Sequence, residues 1–227
     1  MIVTPTRRAA VTSLIALAIV SAAPFSAARA ETGKLVPATK VFSFLEAFLK
    51  VPAAERAKIK VTYALRRDGK PAPGIKATLV EASGARTPLP MDGAGRFERT
   101  PTLAQLQAKA QVAFDVPADA KFGVAMLLDP VLKPAADYDA RELVATVEDS
   151  NAAIRKAAGP MAMMAPQMDG LTFLKAESGV AMFPNGSTKP LPASAGTVIF
   201  EPGAFKGASR VRLAKTPAVV DYYDKKK

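Results

Sequence analysis

Apolar and polar residues alternate along this chain with two different periods, which predict a few helices and many short strands. In residues 39–50, apolar side chains recur at i, i+3, i+4 and i+7, the spacing of one face of an amphipathic helix. Thr39 is the predicted N-cap of this helix, and Pro52 ends the apolar run. From Lys58 the period changes to two, which is typical of a half-buried strand with one face in water.

Turn residues then punctuate a series of short apolar segments as far as Pro134. The predicted strands of this first region are 58–66, 75–79, 96–98, 112–116 and 122–128. Clusters rich in Gly, Pro and Asp separate most of these segments. Short strands at this regular spacing favour an antiparallel β-sandwich.

Two of the turns carry a family resemblance. Gly69 to Leu79 places a strand after a Gly-x-Pro turn, and the turn from Asp92 to Phe97 opens the next strand. This arrangement resembles the carboxypeptidase-regulatory or transthyretin-like β-sandwich module, over these two stretches only. The whole chain also resembles an uncharacterised family of proteobacterial periplasmic proteins. The resemblance implies a non-catalytic accessory module and carries no functional residues.

The pattern changes after Pro134. Residues 139–158 read as a helix, with Asp139 as its N-cap, Glu142 at the capping-box position and Gly159 at its end. A second β region follows, with predicted strands 171–173, 180–183, 197–200, 211–213 and 219–223. Asn185-Gly186 is a hairpin-type turn within it.

These elements predict a mainly β fold with a minor helical part. It consists of an antiparallel β-sandwich module and a second β region, with an N-terminal helix and an inter-module helix. The predicted segments are a signal peptide (1–30), a helix and sandwich-like module (31–134), and a helix, Met-rich connector and second β region (135–227). No clear internal repeat is visible, although Pro88-Leu89-Pro90 and Pro190-Leu191-Pro192 suggest matching loops or edge positions in two related modules.

The first 30 residues have the three parts of a bacterial Sec-type export signal. Arg7 and Arg8 precede a mostly apolar run, and Ala28-Arg29-Ala30 is an A-x-A cleavage site. Since the apolar run is short for a bilayer span, we expect cleavage after Ala30 and no transmembrane anchor afterwards. The predicted location is therefore the periplasm or the medium.

Composition removes most familiar catalytic chemistry. The chain has no His and no Cys, so it contains neither the commonest general base nor a thiol nucleophile. We therefore expect no enzymatic activity and no cofactor, while hydrolysis by a carboxylate pair stays open because no spacing identifies such a pair. The net charge of +11 is spread along the chain and aromatic residues are only 7%, so nucleic acid is not an expected partner.

The most distinctive local feature is a cluster of four methionines, which provides the candidate ligand-binding residues Met161, Met163, Met164 and Met168. Three interpretations stay open. The segment fills gaps in the core, presents an adaptable apolar surface, or supplies soft thioether ligands for Cu(I). Because His and Cys ligands are absent, no metal site is assigned.

The acidic residues Asp137, Asp139 and Glu142 lie close together in sequence, but the pattern of a calcium loop is absent. Helix capping is the preferred explanation for them. The predicted function is a periplasmic non-enzymatic binding or envelope-interaction protein, with an envelope protein or an apolar ligand as partner. The alternative is a Met-rich carrier of Cu(I) or of an apolar small ligand.

Overall fold

A computed structural model of the protein describes residues 33–225. The predicted signal peptide, 1–30, and its cleavage site lie outside the described residues. Within them the chain is mainly β with a minor helical part, as predicted. The strands are β1 (Lys34–Pro37), β2 (Ile59–Arg67), β3 (Lys70–Pro71), β4 (Ala77–Val80), β5 (Arg86–Pro88), β6 (Gln111–Phe114), β7 (Gly123–Pro130), β8 (Asp137–Asp139), β9 (Gly170–Leu174), β10 (Gly179–Met182), β11 (Thr188–Pro190), β12 (Ala193–Ser194), β13 (Thr197–Phe200), β14 (Arg210–Leu213) and β15 (Val219–Tyr223).

Helices are fewer and mostly short. The α-helices are α1 (Ala38–Val41), α2 (Leu45–Lys50), α3 (Leu103–Gln107) and α4 (Ala140–Ala158). Single 3-10 turns occupy Ala53–Arg56, Gly159–Met164 and Pro202–Phe205. None of the helices within residues 33–225 combines the length and the apolar character that crossing a bilayer requires.

The strands form four antiparallel sheets. Sheet I has the order β1-β6-β4-β5, and sheet II has the order β3-β2-β7. Sheet III has the order β8-β14-β10-β11, and sheet IV has the order β12-β13-β9-β15. Sheets I and II draw all their strands from residues 34–130, and sheets III and IV draw theirs from residues 137–223. Buried side chains of both halves nevertheless belong to one hydrophobic cluster.

The two halves share much of their strand arrangement, which the sequence indicated only through its two Pro-Leu-Pro motifs. Sheets I and III have the same order when β1, β6, β4 and β5 are matched with β8, β14, β10 and β11. In each half, a helix follows the first strand directly, α1 after β1 and α4 after β8. The strand after that helical region pairs with the last strand of the same half, β2 with β7 and β9 with β15. A short helical turn also precedes both β6 and β14.

The two Pro-Leu-Pro motifs occupy equivalent places in this arrangement. Pro88 and Pro190 end the edge strands β5 and β11. The next residue in each motif, Leu89 or Leu191, is buried. Each donates its N–H to the first residue of the neighbouring strand, Leu89 to the Ala77 carbonyl at 2.8 Å and Leu191 to that of Gly179 at 2.9 Å. Proline is tolerated at such edges because it removes no bond to an inner strand.

The predicted helix 39–50 is instead two short helices. Thr39 lies inside α1 rather than at its N-cap, and the break falls at Phe42–Phe44, where Phe44 has a φ of 69°. The break frees the Ser43 carbonyl to accept a 2.6 Å hydrogen bond from the Tyr63 hydroxyl. It also sets the ring of Phe42 edge-on to that of Tyr63, with centroids 5.1 Å apart. Contacts with Tyr63 of sheet II therefore interrupt the helix that the spacing of apolar residues predicts.

Two details of the first β region also differ from prediction. Strand β2 was expected to have one face in water, but Thr62 and Ala64 on that face are buried as well. Thr62 donates a hydrogen bond to Asp129, and Ala64 is bridged to Arg96. Segment 96–98 makes only isolated bridges, Arg96 to Ala64 and Phe97 to Met91, and forms no strand. The other predicted strands are found with bounds shifted by a few residues.

Helix α4 agrees closely with prediction and contacts both halves. The Asp139 carboxylate caps it by accepting the Arg141 N–H at 2.8 Å. Glu142 does not complete the expected capping box and pairs instead with Lys58 at 3.6 Å. Gly159, with φ 53° and ψ −124°, ends the helix.

Candidate ligand clefts

The structure separates the four candidate methionines. Met161 and Met164 are 62% and 81% exposed and line one cleft together. Met163 is 100% exposed and points into solvent. Met168 is only 8% exposed and lines a neighbouring cleft. The segment therefore presents two thioethers to one surface rather than four to one point.

The first cleft, here the Met cleft, has a volume of about 370 Å³ and opens to solvent. All eleven residues that line it are apolar: Phe44, Ala47, Met126, Leu128, Ile154, Ala157, Ala158, Met161, Met164, Ala165 and Pro166. The small side chains of alanines on α2 and α4 leave the volume of the cleft unfilled, and the longer Phe and Met side chains form its walls. The cleft thus offers apolar contact without a single polar side chain in its lining.

Two anchors hold residues 159–168, here the Met segment, beside the end of α4. At its start, Gly159 adopts a backbone conformation that only glycine takes without strain, and this turns the chain away from the helix. At its end, the buried Asn151 side chain binds both backbone groups of Met168. Between these anchors the 3-10 turn Gly159–Met164 has no buried residue.

The opposite wall comes from elements far away in sequence. Phe44, at the break between α1 and α2, contributes its ring to the cleft. Its left-handed backbone is unusual for a bulky residue, and such conformations cost about 1–2 kcal/mol. Met126 and Leu128 come from β7, an edge strand of sheet II. The helix break therefore has a consequence at the surface, because it sets the Phe44 ring beside the thioethers.

The second cleft, here the acidic cleft, has a volume of about 520 Å³ and shares Met126, Leu128 and Pro166 with the Met cleft. Its other lining residues are mostly polar: Arg96, Leu127, Asp129, Met168, Asp221, Tyr222, Tyr223 and Asp224. The lining thus includes three carboxylates, those of Asp129, Asp221 and Asp224, and the guanidinium of Arg96. Asp129 already accepts a 2.6 Å hydrogen bond from Thr62 and lies 3.5 Å from Arg96.

Equivalent segments of the two repeats face this acidic cleft. Ala64 on β2 is paired with Ala125 on one side and bridged to Arg96 on the other. Phe173 on β9 has the same two kinds of neighbour, Val220 in place of Ala125 and Val198 in place of Arg96. By this register, residues 126–129 correspond to residues 221–224. Both edge strands, β7 and β15, lie side by side there. Aspartate occupies the last of the four positions in each segment, and the first is Met in one and Asp in the other.

Tyr222 fixes the floor of the acidic cleft. Its hydroxyl lies 2.6 Å from Ser150 Oγ on α4 and donates to the Lys58 carbonyl at 3.2 Å. Burial raises the pKa of Tyr222 to about 12, so the phenol is neutral at ordinary pH. Tyr222 and Tyr223 lie in the predicted strand 219–223, which is an edge strand of sheet IV.

The acidic residues at the start of α4 have structural partners. Asp137 accepts hydrogen bonds from Arg210, at 2.7 and 2.9 Å, and from Arg212 at 3.2 Å. These bonds, from Arg210 first, hold the pKa of the Asp137 carboxyl below its usual range. Across residues 33–225, no group of three or more acidic side chains has the arrangement of a metal site. Capping by Asp139 explains its position, as expected.

Sequence reasoning missed several residues of these clefts. Met126 lies within the predicted strand 122–128, and the pattern of that strand did not indicate that its side chain is partly exposed beside a cleft. Nothing in the local pattern marked Phe44 as exposed to a cleft. Asp129 and Asp221 come together only because β7 and β15 lie side by side in the fold, which no local pattern predicts.

Comparisons of the chain with protein-family models, with curated proteins and with solved structures find no match.

Proposed function

We propose that this chain is an exported, non-enzymatic binding protein of the bacterial envelope, and that the Met cleft holds the apolar part of its ligand. One observation carries the proposal: every residue that lines the cleft is apolar, although the cleft is open to water. Export to the periplasm is inferred from the signal pattern of residues 1–30. The absence of His and Cys from the sequence supports a binding role over catalysis.

The physical chemistry of the walls favours a small apolar ligand. Methionine is unbranched and polarizable, so Met126, Met161 and Met164 adapt to ligands of irregular shape. A ligand that covers these side chains removes apolar surface from water, which is the main favourable term in such binding. The cleft volume falls within the range of about 300–1,000 Å³ that is usual for small-molecule sites.

Its place between the repeats also supports a ligand site. Phe44 and Met126 belong to the first half, and Ile154 and Met161 belong to the second. Ligand sites occur preferentially where two structural units meet. Here the Ala47, Ala157 and Ala158 side chains are too small to fill the junction, and the cleft results.

The test is binding of N-phenyl-1-naphthylamine, a neutral apolar dye whose fluorescence rises in apolar surroundings, to the chain from residue 31 onward. Met164→Ser removes apolar surface from the cleft, and Met163→Ser is its matched control, because Met163 is fully exposed and lies outside the cleft. We expect Met164→Ser to weaken binding about fivefold and Met163→Ser to change it less than about twofold. Equal effects of the two variants, or no dye binding by the wild type, would refute the proposal.

A second candidate function rests on the same walls. Met126, Met161 and Met164 bring three thioethers to one cleft, and thioether sulfur suits Cu(I). This set differs from the methionines singled out by sequence, since Met126 comes from β7 and Met163 and Met168 lie outside the cleft. The two candidates are separable, because leucine retains the apolar surface and removes the sulfur.

A further inference from the structure

The Met cleft and the acidic cleft share three lining residues, and together they offer an apolar site and a negatively charged site in contact. We propose that the ligand is a single-chain amphiphile with an ammonium head, whose hydrocarbon chain lies in the Met cleft and whose head lies between Asp129 and Asp221. This inference rests on the proposed function, because it assigns a ligand class to the same site.

The first step is continuity. Met126 and Leu128 on β7, and Pro166 at the end of the Met segment, line both clefts. A molecule that occupies the Met cleft therefore reaches the acidic cleft without leaving the protein surface. An entirely apolar ligand would fill only the first cleft, so the pairing of clefts favours an amphiphile.

The second step is charge. Asp129 and Asp221 line the acidic cleft, and the Arg96 guanidinium lies 3.5 Å from Asp129. The Asp221 carboxylate accepts the neighbouring Tyr222 N–H and has no cationic partner within residues 33–225. The chain as a whole carries +11, so this cleft opposes the general sign of the protein. A cationic head is attracted locally, and an anionic head such as a carboxylate is repelled.

The third step is the aromatic surface beside the carboxylates. Tyr222 and Tyr223 line the acidic cleft, and the Tyr222 hydroxyl is engaged with Ser150 and Lys58. Tyrosine rings attract ammonium groups by cation–π interaction, and a carboxylate beside the ring adds direct charge attraction. An ammonium head thus finds both kinds of partner in this cleft.

The experiment compares three ligands with the same chain, decylammonium, decanol and decanoate, each below the concentration at which it forms micelles. Isothermal titration calorimetry of the chain from residue 31 onward gives their affinities. We expect decylammonium to bind about three- to tenfold more tightly than decanol, and decanoate to bind most weakly. Addition of salt reduces the preference for decylammonium, because exposed charges are screened.

A charge-matched pair of variants locates the preference. Asp221→Asn removes one carboxylate of the acidic cleft, whereas Asp119→Asn removes an exposed one that lies in neither cleft. Asp221→Asn should reduce the ratio of decylammonium to decanol affinity at least twofold, and Asp119→Asn should leave it unchanged. Equal affinities of the three ligands would overturn the ammonium head and leave the Met cleft as an apolar site. Binding of none of them would overturn both proposals.

Discussion

Asn151 on α4 and Met168 at the end of the Met segment exchange two hydrogen bonds in the protein interior. Asn151 Nδ2 donates to the Met168 carbonyl at 2.9 Å, and the Met168 N–H donates to Asn151 Oδ1 at 2.8 Å. A primary amide carries both a donor and an acceptor, so the Asn151 side chain satisfies the backbone carbonyl and the backbone N–H of Met168 together. The pair fixes where the Met segment rejoins the sheets, and so fixes one end of the Met cleft.

Replacement of Asn151 by Ala should destabilise the fold and loosen the cleft. The change leaves a buried N–H and a buried carbonyl without partners, so we expect the free energy of unfolding to fall by about 3 kcal/mol. Urea denaturation measures this. Asp149→Ala, at an exposed position of the same helix, is the control and should change stability by less than about 0.5 kcal/mol. Similar losses in both variants would show that the Asn151–Met168 pair contributes little.

Gly159→Ala tests the other anchor of the Met segment. A Cβ at this position meets no atom within 4 Å, but the φ of 53° with ψ −124° is strained for any residue with a side chain. We expect a loss of about 1–2 kcal/mol in thermal or urea unfolding. Gly203→Ala is the matched control, because Gly203 also has open space and lies outside the left-handed region. Gly159→Ala with unchanged stability would contradict the turn described here.

Tyr222 links α4 to β15 and makes stability depend on alkaline pH. Its pKa is about 12 in the folded chain and about 10 when unfolded. The unfolded state therefore loses the proton first, and the free energy of unfolding should fall as pH rises from about 10 to 12. Tyr222→Phe removes this group, so its stability should fall less steeply over the same interval. Burial also raises the pKa of Tyr63, which leaves a residual slope in the variant.

The copper alternative is tested by replacement of Met161 and Met164 with Leu together. Leucine keeps the apolar surface and removes both sulfurs. If Cu(I) is the ligand, affinity measured under reducing conditions against a competing chelator should fall at least about tenfold. Dye binding should change less than about twofold. Equal and weak Cu(I) binding by both proteins would rule out the metal and leave the apolar ligand.

Local patterns predicted most of the fold but little of the clefts. The five strands predicted for the second β region and helix α4 were found, because their apolar periods and caps are contained within each segment. Short edge strands such as β8 and β12 were missed, since two or three residues carry no period. Helix α3 was missed despite a readable signal, the capping box between Thr102 and Gln105.

The repeat and the clefts depend on contacts across the chain. Sheets I and III share their strand order, but the two halves differ in the residues at matched positions, as Met126 and Asp221 show. The two halves are therefore alike in topology but not in amino-acid sequence. The break between α1 and α2 is equally non-local, since it depends on the bond from Tyr63 to the Ser43 carbonyl. The spacing of hydrophobic residues within one segment does not predict contacts with residues of another segment.

The most direct test of an apolar ligand site is nuclear magnetic resonance of the protein labelled with ¹³C at its methionine methyl groups, titrated with decanol. Four of the eight methionines lie between residues 161 and 168, and Met126, Met161 and Met164 report on the Met cleft. We expect saturable shifts of these three methyl resonances, with the resonance of the fully exposed Met163 nearly unchanged. Shifts of Met163 as large as those of the three, or no saturable shift in any of them, would contradict the account.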